Sequence, residues 1–205
     1  MKQLGLINRA LMYGPMAALC LSVFSSAPLR ADVSGTWNTT GLTRIVVSSI
    51  SFPETAPERT VEIGDGRYVF GAEREFTAGD IAGSWKQRSG RFTVRPNRAV
   101  LEAAYIQALL DSENPPFINS VRLVRGEIAG SELDNGIWGT ETYVYRLDLG
   151  EDQERQVLRV AMTVRVAGQP PNPAATAQAA IEPSRSLAEL AAAAVLRYRL
   201  NHPAC

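Results

Sequence analysis

The chain holds one histidine, His202, and two cysteines, Cys20 and Cys205, in 205 residues. That scarcity excludes a multi-histidine metal site and a disulfide framework. It also excludes a Ser/His/Asp relay, because the sole imidazole lies three residues before the last one. Net charge is lacking too: 21 Lys+Arg face 21 Asp+Glu, which argues against a nucleic-acid surface. There is no HExxH, no CxxC and no glycine-rich phosphate loop. The longest apolar run, Ala10 to Phe24, covers about 15 residues and is interrupted by Gly14-Pro15. About 20 are needed to span a bilayer as a helix. What is present is 45% hydrophobic residues and 20% charged ones. That balance excludes a disordered chain and suffices for one core.

The first residues read as an address. Lys2 and Arg9 precede the apolar run, and Ser25-Ser26-Ala27 follow it. This charged, apolar, small-residue order is that of a secretory signal peptide. Residues 1–31 are assigned to it, with cleavage after Ala27 or Ala31, and a periplasmic or secreted location is expected. Cys20 lacks the small preceding residue of a lipidation site, since Leu19 stands there. Removal of Lys2, Arg9 and Arg30 leaves 18 basic against 21 acidic residues, a nearly neutral domain with Cys205 as its only thiol.

From there the periodicity is that of strands. Leu158, Val160, Met162, Val164 and Val166 alternate with Arg159, Ala161, Thr163 and Arg165, the pattern of an antiparallel strand with one wet face. Tyr143, Tyr145, Leu147 and Leu149 alternate the same way, and Gly150 to Gln153 supply a turn. Asp134-Asn135-Gly136 is a hairpin signal between strands at Val121 to Leu133 and from Ile137 onward. Upstream, strands are expected at Thr36 to Ile50, Thr60 to Ile63, Arg67 to Phe70, Ile81 to Lys86 and Arg91 to Arg95, with a turn at Gly64-Asp65-Gly66. Eight short strands joined mostly in sequence order predict an antiparallel up-and-down barrel, because closure removes unpaired edges.

One segment interrupts the meander. Asn97 can cap a helix over Arg98 to Leu110, which Pro115-Pro116 stops. Its surface is so widely apolar that cover on most of its circumference is expected, over one barrel end or partly inside. Residues 168–184 are rich in proline and alanine, as linkers are. Ser186 to Glu189 match a capping box and open an alanine-rich helix to about Leu200 within a C-terminal region of 185–205. That helix is expected on the outside of the barrel.

Ser34-Gly35-Thr36-Trp37 heads the first strand. A Gly-x-Trp there, followed by about eight meander strands and a C-terminal helix, resembles the lipocalins and the wider lipocalin-like barrels, across roughly residues 33 to 167. The resemblance implies that Trp37 closes the barrel base, stacked by Arg165 or Arg159 from the last strand. The family has no helix between its fifth and sixth strands, so Arg98 to Leu110 departs from it.

The resemblance and the apolar interior together point to non-covalent binding of an apolar small molecule or lipid, with no cofactor and no enzymatic step. The expected lining is Tyr143, Tyr145, Leu147, Val160, Met162 and Val164 from strands, with Leu101, Tyr105 and Leu109 from the helix. The same residues form a plain core if the interior is packed, and the chain is then a scaffold or assembly factor docking another protein through its surface or C-terminal helix. A cavity above roughly 300 Å³ between helix and strands separates the two. Glu62, Glu75, Asp80, Glu127, Glu132 and Asp134 are the carboxylates that acid catalysis could draw on, though most fall in turns or on wet faces. Glu54, Glu58, Asp65 and Glu73 lack the regular spacing of a calcium loop. Asn38-Thr39-Thr40 fits a glycosylation sequon. A membrane-embedded barrel shares the strand pattern, but its apolar face points outwards and its strands run about ten residues.

Overall fold

The computed structural model describes residues 33–133, 136–170 and 186–203; the expected signal segment, most of the linker, Asp134 and Cys205 lie outside them. Eight antiparallel strands close into a barrel in sequence order. They are β1 (Gly35–Ser49), β2 (Glu58–Phe70), β3 (Glu75–Ala78), β4 (Ile81–Arg88), β5 (Arg91–Pro96), β6 (Ile118–Leu133), β7 (Gly136–Leu149) and β8 (Gln156–Gln169). Closure is made by β1 pairing β8, with Thr43 opposite Val164 and Ile45 opposite Met162. An up-and-down barrel of this kind is compatible with a lipocalin-like fold.

Inside and outside follow the two-residue period. Leu158, Val160, Met162, Val164 and Val166 are buried on the inner face of β8, while Arg159 and Arg165 are exposed on the outer one. An embedded barrel has the opposite arrangement, with its charged residues kept off the outer wall. Arginines at mid-strand on the outside therefore decide against that reading.

One end of the barrel is sealed by aromatic rings. Phe70 lies edge-on to Phe76, Trp85 and Phe92 at centroid distances of 5.1–5.4 Å. Such edge-to-face contacts set the positive rim of one ring against the negative face of the next. Trp37 is buried at this end and donates its indole N–H to the Val33 carbonyl at 2.8 Å. The arginine expected over it is not there. Arg165 and Arg159 point outwards, since they share the parity of the exposed positions of β8, so neither can reach the buried indole. The arginine–indole pair that does form joins Arg74, in the β2–β3 connection, to Trp85 at 4.6 Å.

The other end is closed by two helices, α1 (Arg98–Leu110) and α2 (Leu187–Asn201). Asn97 caps α1 by accepting from the N–H groups of Ala99 and Val100. Glu102 of α1 accepts from the Leu123 N–H at 2.7 Å, where a register shift between Leu123 and Arg125 breaks the β6–β7 ladder. Helix and bulge thus satisfy each other's polar groups. Only Leu101, Tyr105 and Leu109 of α1 are buried, and Val100 and Leu110 stay exposed. Cover on one face, rather than on most of the circumference, is what the barrel end provides.

The expected capping box of α2 is present at Ser186 and Glu189. The helix does not lie on the outer wall. It crosses the same barrel end as α1, from Asp80 in the β3–β4 turn, which accepts from the Ala188 N–H, to Gln156 at the head of β8, which donates to the His202 carbonyl. Its buried face is mostly alanine, at 188, 191, 192 and 194, and small residues there let α1 and α2 approach closely.

Strand boundaries differ from expectation in one place. Gly64-Asp65-Gly66 is no turn: these residues pair with Gly41, Thr40 and Thr39 inside one continuous β2, and Thr40 donates its hydroxyl to Asp65 at 2.8 Å. The count remains eight because β3, a four-residue strand, takes the place of the lost division.

Candidate functional site

The nine residues expected to line a ligand space are all buried. The gap among Leu101, Tyr143, Tyr145 and Met162 has a volume of only about 10 Å³, and Asp80, Leu187 and Ala188 close it. Tyr105 packs edge-on to Tyr145 at 4.8 Å. Between helices and strands the interior is therefore core, too tight for a ligand.

Open space lies to the side. Because β3 is short, only Val69 and Phe70 of β2 pair with it. Among the described residues no strand pairs the rest of β2 on that edge, and a cleft of about 900 Å³ opens between β1–β2 and the β3–β4 turn. Its floor is the inner face of β1, β7 and β8. There Gly41 faces Gly64 across the ladder and Thr39 faces Gly66, so three of these four positions put no side chain into the cleft. A Cβ on Gly41 would come within 3.0 Å of Val164 Cγ1, and one on Gly66 within 3.1 Å of Thr39 Oγ1.

At the bottom of this cleft sits Glu141, only 3% exposed. Its two carboxylate oxygens accept from different tyrosines, Oε1 from the Tyr68 hydroxyl and Oε2 from the Tyr143 hydroxyl at 2.9 Å. Desolvation pushes the Glu141 carboxyl above its usual range, and the two hydroxyls partly restore it. The same burial, with the carboxylate beside them, holds both tyrosines neutral, well above the ordinary phenol range. Each carboxylate oxygen has a second lone pair, so Glu141 retains acceptor capacity toward the cleft.

The walls are mixed. Thr39 and Thr43 bring hydroxyls to the floor, while Val164, Val166, Ile81, Leu187 and Leu190 make an apolar side. Glu62, Asp65 and Asp80 stand at the opening with one cation, Arg67. Asp80 is also raised by burial, an effect that its hydrogen bond from Ala188 opposes.

Of the nine expected lining residues, Val164 alone lines the cleft, and Tyr143 serves it through Glu141. Among the suspected carboxylates, Glu62 and Asp80 reach it, with Asp65 from the calcium candidates. Glu75 and Glu127 are exposed elsewhere, and Glu58 is drawn to Arg197 at 3.6 Å. No group of three or more metal-ligating side chains occurs among the described residues. Glu141 was missed, although its signal was present. It extends the series Tyr143, Tyr145, Leu147 and Leu149 by two, so strand parity puts a carboxylate on the apolar face of β7. No family model, no curated protein and no solved structure matches the chain.

Proposed function

We propose that the protein is a non-enzymatic binding protein of the cell envelope or the secreted fraction, which holds a small amphipathic molecule in the side cleft. A β-barrel is consistent with a ligand-binding scaffold. The observation that carries the reading is Glu141: a buried carboxylate at the floor of an open cleft whose central positions are glycine. The apolar body of the ligand lies against Val164, Val166, Leu187 and Leu190. Its polar end donates to Glu141, and the acidic opening favours a cation there. The order of basic, apolar and small residues before residue 31 supports the envelope or secreted location.

The test is calorimetric titration with dodecylammonium, against neutral dodecanol as the control. The amine should bind more tightly than the alcohol, and Glu141→Gln should weaken the amine by about ten- to a hundredfold, the worth of a hydrogen bond to a charged group, with little change for the alcohol. Failure of the wild-type protein to prefer the amine, or an unchanged amine affinity in the variant, refutes it.

A second reading, docking of another protein, has its own observation. Phe117 and Leu200 are 55% and 82% exposed. Both line a groove of about 660 Å³ between the α1–β6 connection, the β7–β8 turn and the end of α2. Retention of ligand binding in a Phe117→Ser/Leu200→Ser variant would show that this groove serves something other than the cleft.

A further inference from the structure

The outer wall carries a charge pattern that the cleft does not use. Arg122 on β6 lies directly opposite Arg146 on β7, and Arg146 directly opposite Arg159 on β8. All three are exposed on the outside. Adjacent strands are about 4.8 Å apart, so three guanidinium groups stand in one row across the sheet. Like charges directly opposite one another destabilise a sheet. The chain has enough acids to neutralise them, yet among the described residues no salt bridge reaches any of the three. Asp148, two residues from Arg146 on β7, is gripped by Arg155 through bonds of 2.8 and 2.7 Å, and Arg146 acts on it only as a more distant charge.

Further along the same wall the character changes. Thr140, Arg165, Leu42 and Ile63 form another cross-strand row. With Leu133 and Trp138 they line a shallow depression of about 790 Å³. Leu42, Ile63, Leu133 and Trp138 are between 42% and 75% exposed. A soluble polyanion would use the arginines and have no use for exposed leucine and isoleucine. A bilayer uses both: headgroup phosphates meet arginine, and tryptophan with aliphatic side chains enters the boundary of the acyl region.

We infer that the outer wall β6–β7–β8–β1 is a docking surface for an anionic phospholipid bilayer. The arginine row supplies the attraction and the Trp138 end a shallow apolar contact, so the barrel rests on the membrane with its wall and does not span it.

The experiment is co-sedimentation of the full chain with vesicles of equal parts phosphatidylcholine and phosphatidylglycerol, against pure phosphatidylcholine. The comparison protein is the Arg122→Gln/Arg146→Gln/Arg159→Gln variant. Any contribution from residues 1–31 is common to both proteins. The wild type should bind the anionic vesicles, less tightly as salt is raised. The variant should bind them on the order of a hundredfold more weakly, about fivefold per charge. Its melting temperature should be unchanged or higher, because like charges have been removed. Brominated lipid in the anionic vesicles should quench Trp138, while Trp37 and Trp85, 8% and 4% exposed, stay bright. Equal binding by the two proteins overturns the proposal. So does arginine-dependent binding of dextran sulfate in the absence of vesicle binding, which would assign the wall to a soluble polyanion.

Discussion

Tyr105 decides whether the helical end of the barrel is core or pocket, and one oxygen atom is the probe. The side chain is 1% exposed, and its hydroxyl has no hydrogen-bond partner among the described residues. Burial drives its pKa well above the usual phenol range, and Tyr145 adds to the shift. An unsatisfied buried hydroxyl costs about 1–3 kcal/mol of desolvation. Tyr105→Phe removes that group and keeps the ring, including its edge-on contact with Tyr145. The variant should therefore be more stable by about 1 kcal/mol, the lower end of that range, because a small void replaces the oxygen. In a domain of this size that raises the melting temperature by about 2–4 °C. Tyr105→Ala, which removes the ring as well, should cost about 3–5 kcal/mol. Urea unfolding followed by fluorescence and by circular dichroism measures both, provided the two probes coincide. A Tyr105→Phe protein less stable than the wild type by more than about 1 kcal/mol would show that the hydroxyl is satisfied. The space would then be wet or ligand-accessible, and the packed interior would be refuted.

Glu141→Gln should change how stability depends on pH. The folded pKa of Glu141 is raised, so the folded state holds its proton more strongly than the unfolded one, and stability falls as pH climbs from the ordinary glutamate range through the raised value. The variant should lack this component, matching the wild type in acid and exceeding it at neutral pH; urea midpoints across that window check it. Trp37→Ala should cost about 3–5 kcal/mol, and Trp138→Ala on the exposed outer wall less than about 0.5 kcal/mol, as judged by thermal melts. Asn97→Ala should cost about 1 kcal/mol through loss of the α1 cap. Folding should be indifferent to EDTA and to dithiothreitol, and loss of the cooperative melt on adding either would contradict this.

The parts of the fold legible in the sequence are those with strict periodicity or a side-chain cap. The alternation from Leu158 to Val166 divided β8 into the two faces that the structure keeps, and Asn97 and Ser186 marked helix starts that it also keeps. Gly64-Asp65-Gly66 misled because glycine flanking aspartate signals a turn when nothing else is known. Here the glycines are strand residues whose missing side chains leave the cleft open. The Trp37–Arg165 pair misled for a different reason: parity places Arg165 on the wet face, a constraint the strand pattern already contained. The position of α2 was not legible. Its apolar stripe is modest, and what places it is a set of contacts with residues remote in sequence, Asp80, Glu58 and Gln156.

The interior falls into three physical zones, and the middle one is hardest to explain as packing. The aromatic end gains edge-to-face contacts, and the helical end gains close packing on small alanines. Both are what a small barrel needs for stability. The middle zone spends stability instead. Glycine in a strand gives up backbone entropy and side-chain contacts, and a buried carboxylate resists desolvation even with two hydroxyls donating to it. An apolar residue at position 141 would occupy the same place without that desolvation cost. Retaining Glu141 above a glycine floor is therefore a local choice against stability, of the kind expected where a binding site must stay open. That is why the proposed ligand is assigned to the polar cleft and not to the packed apolar core around Tyr105.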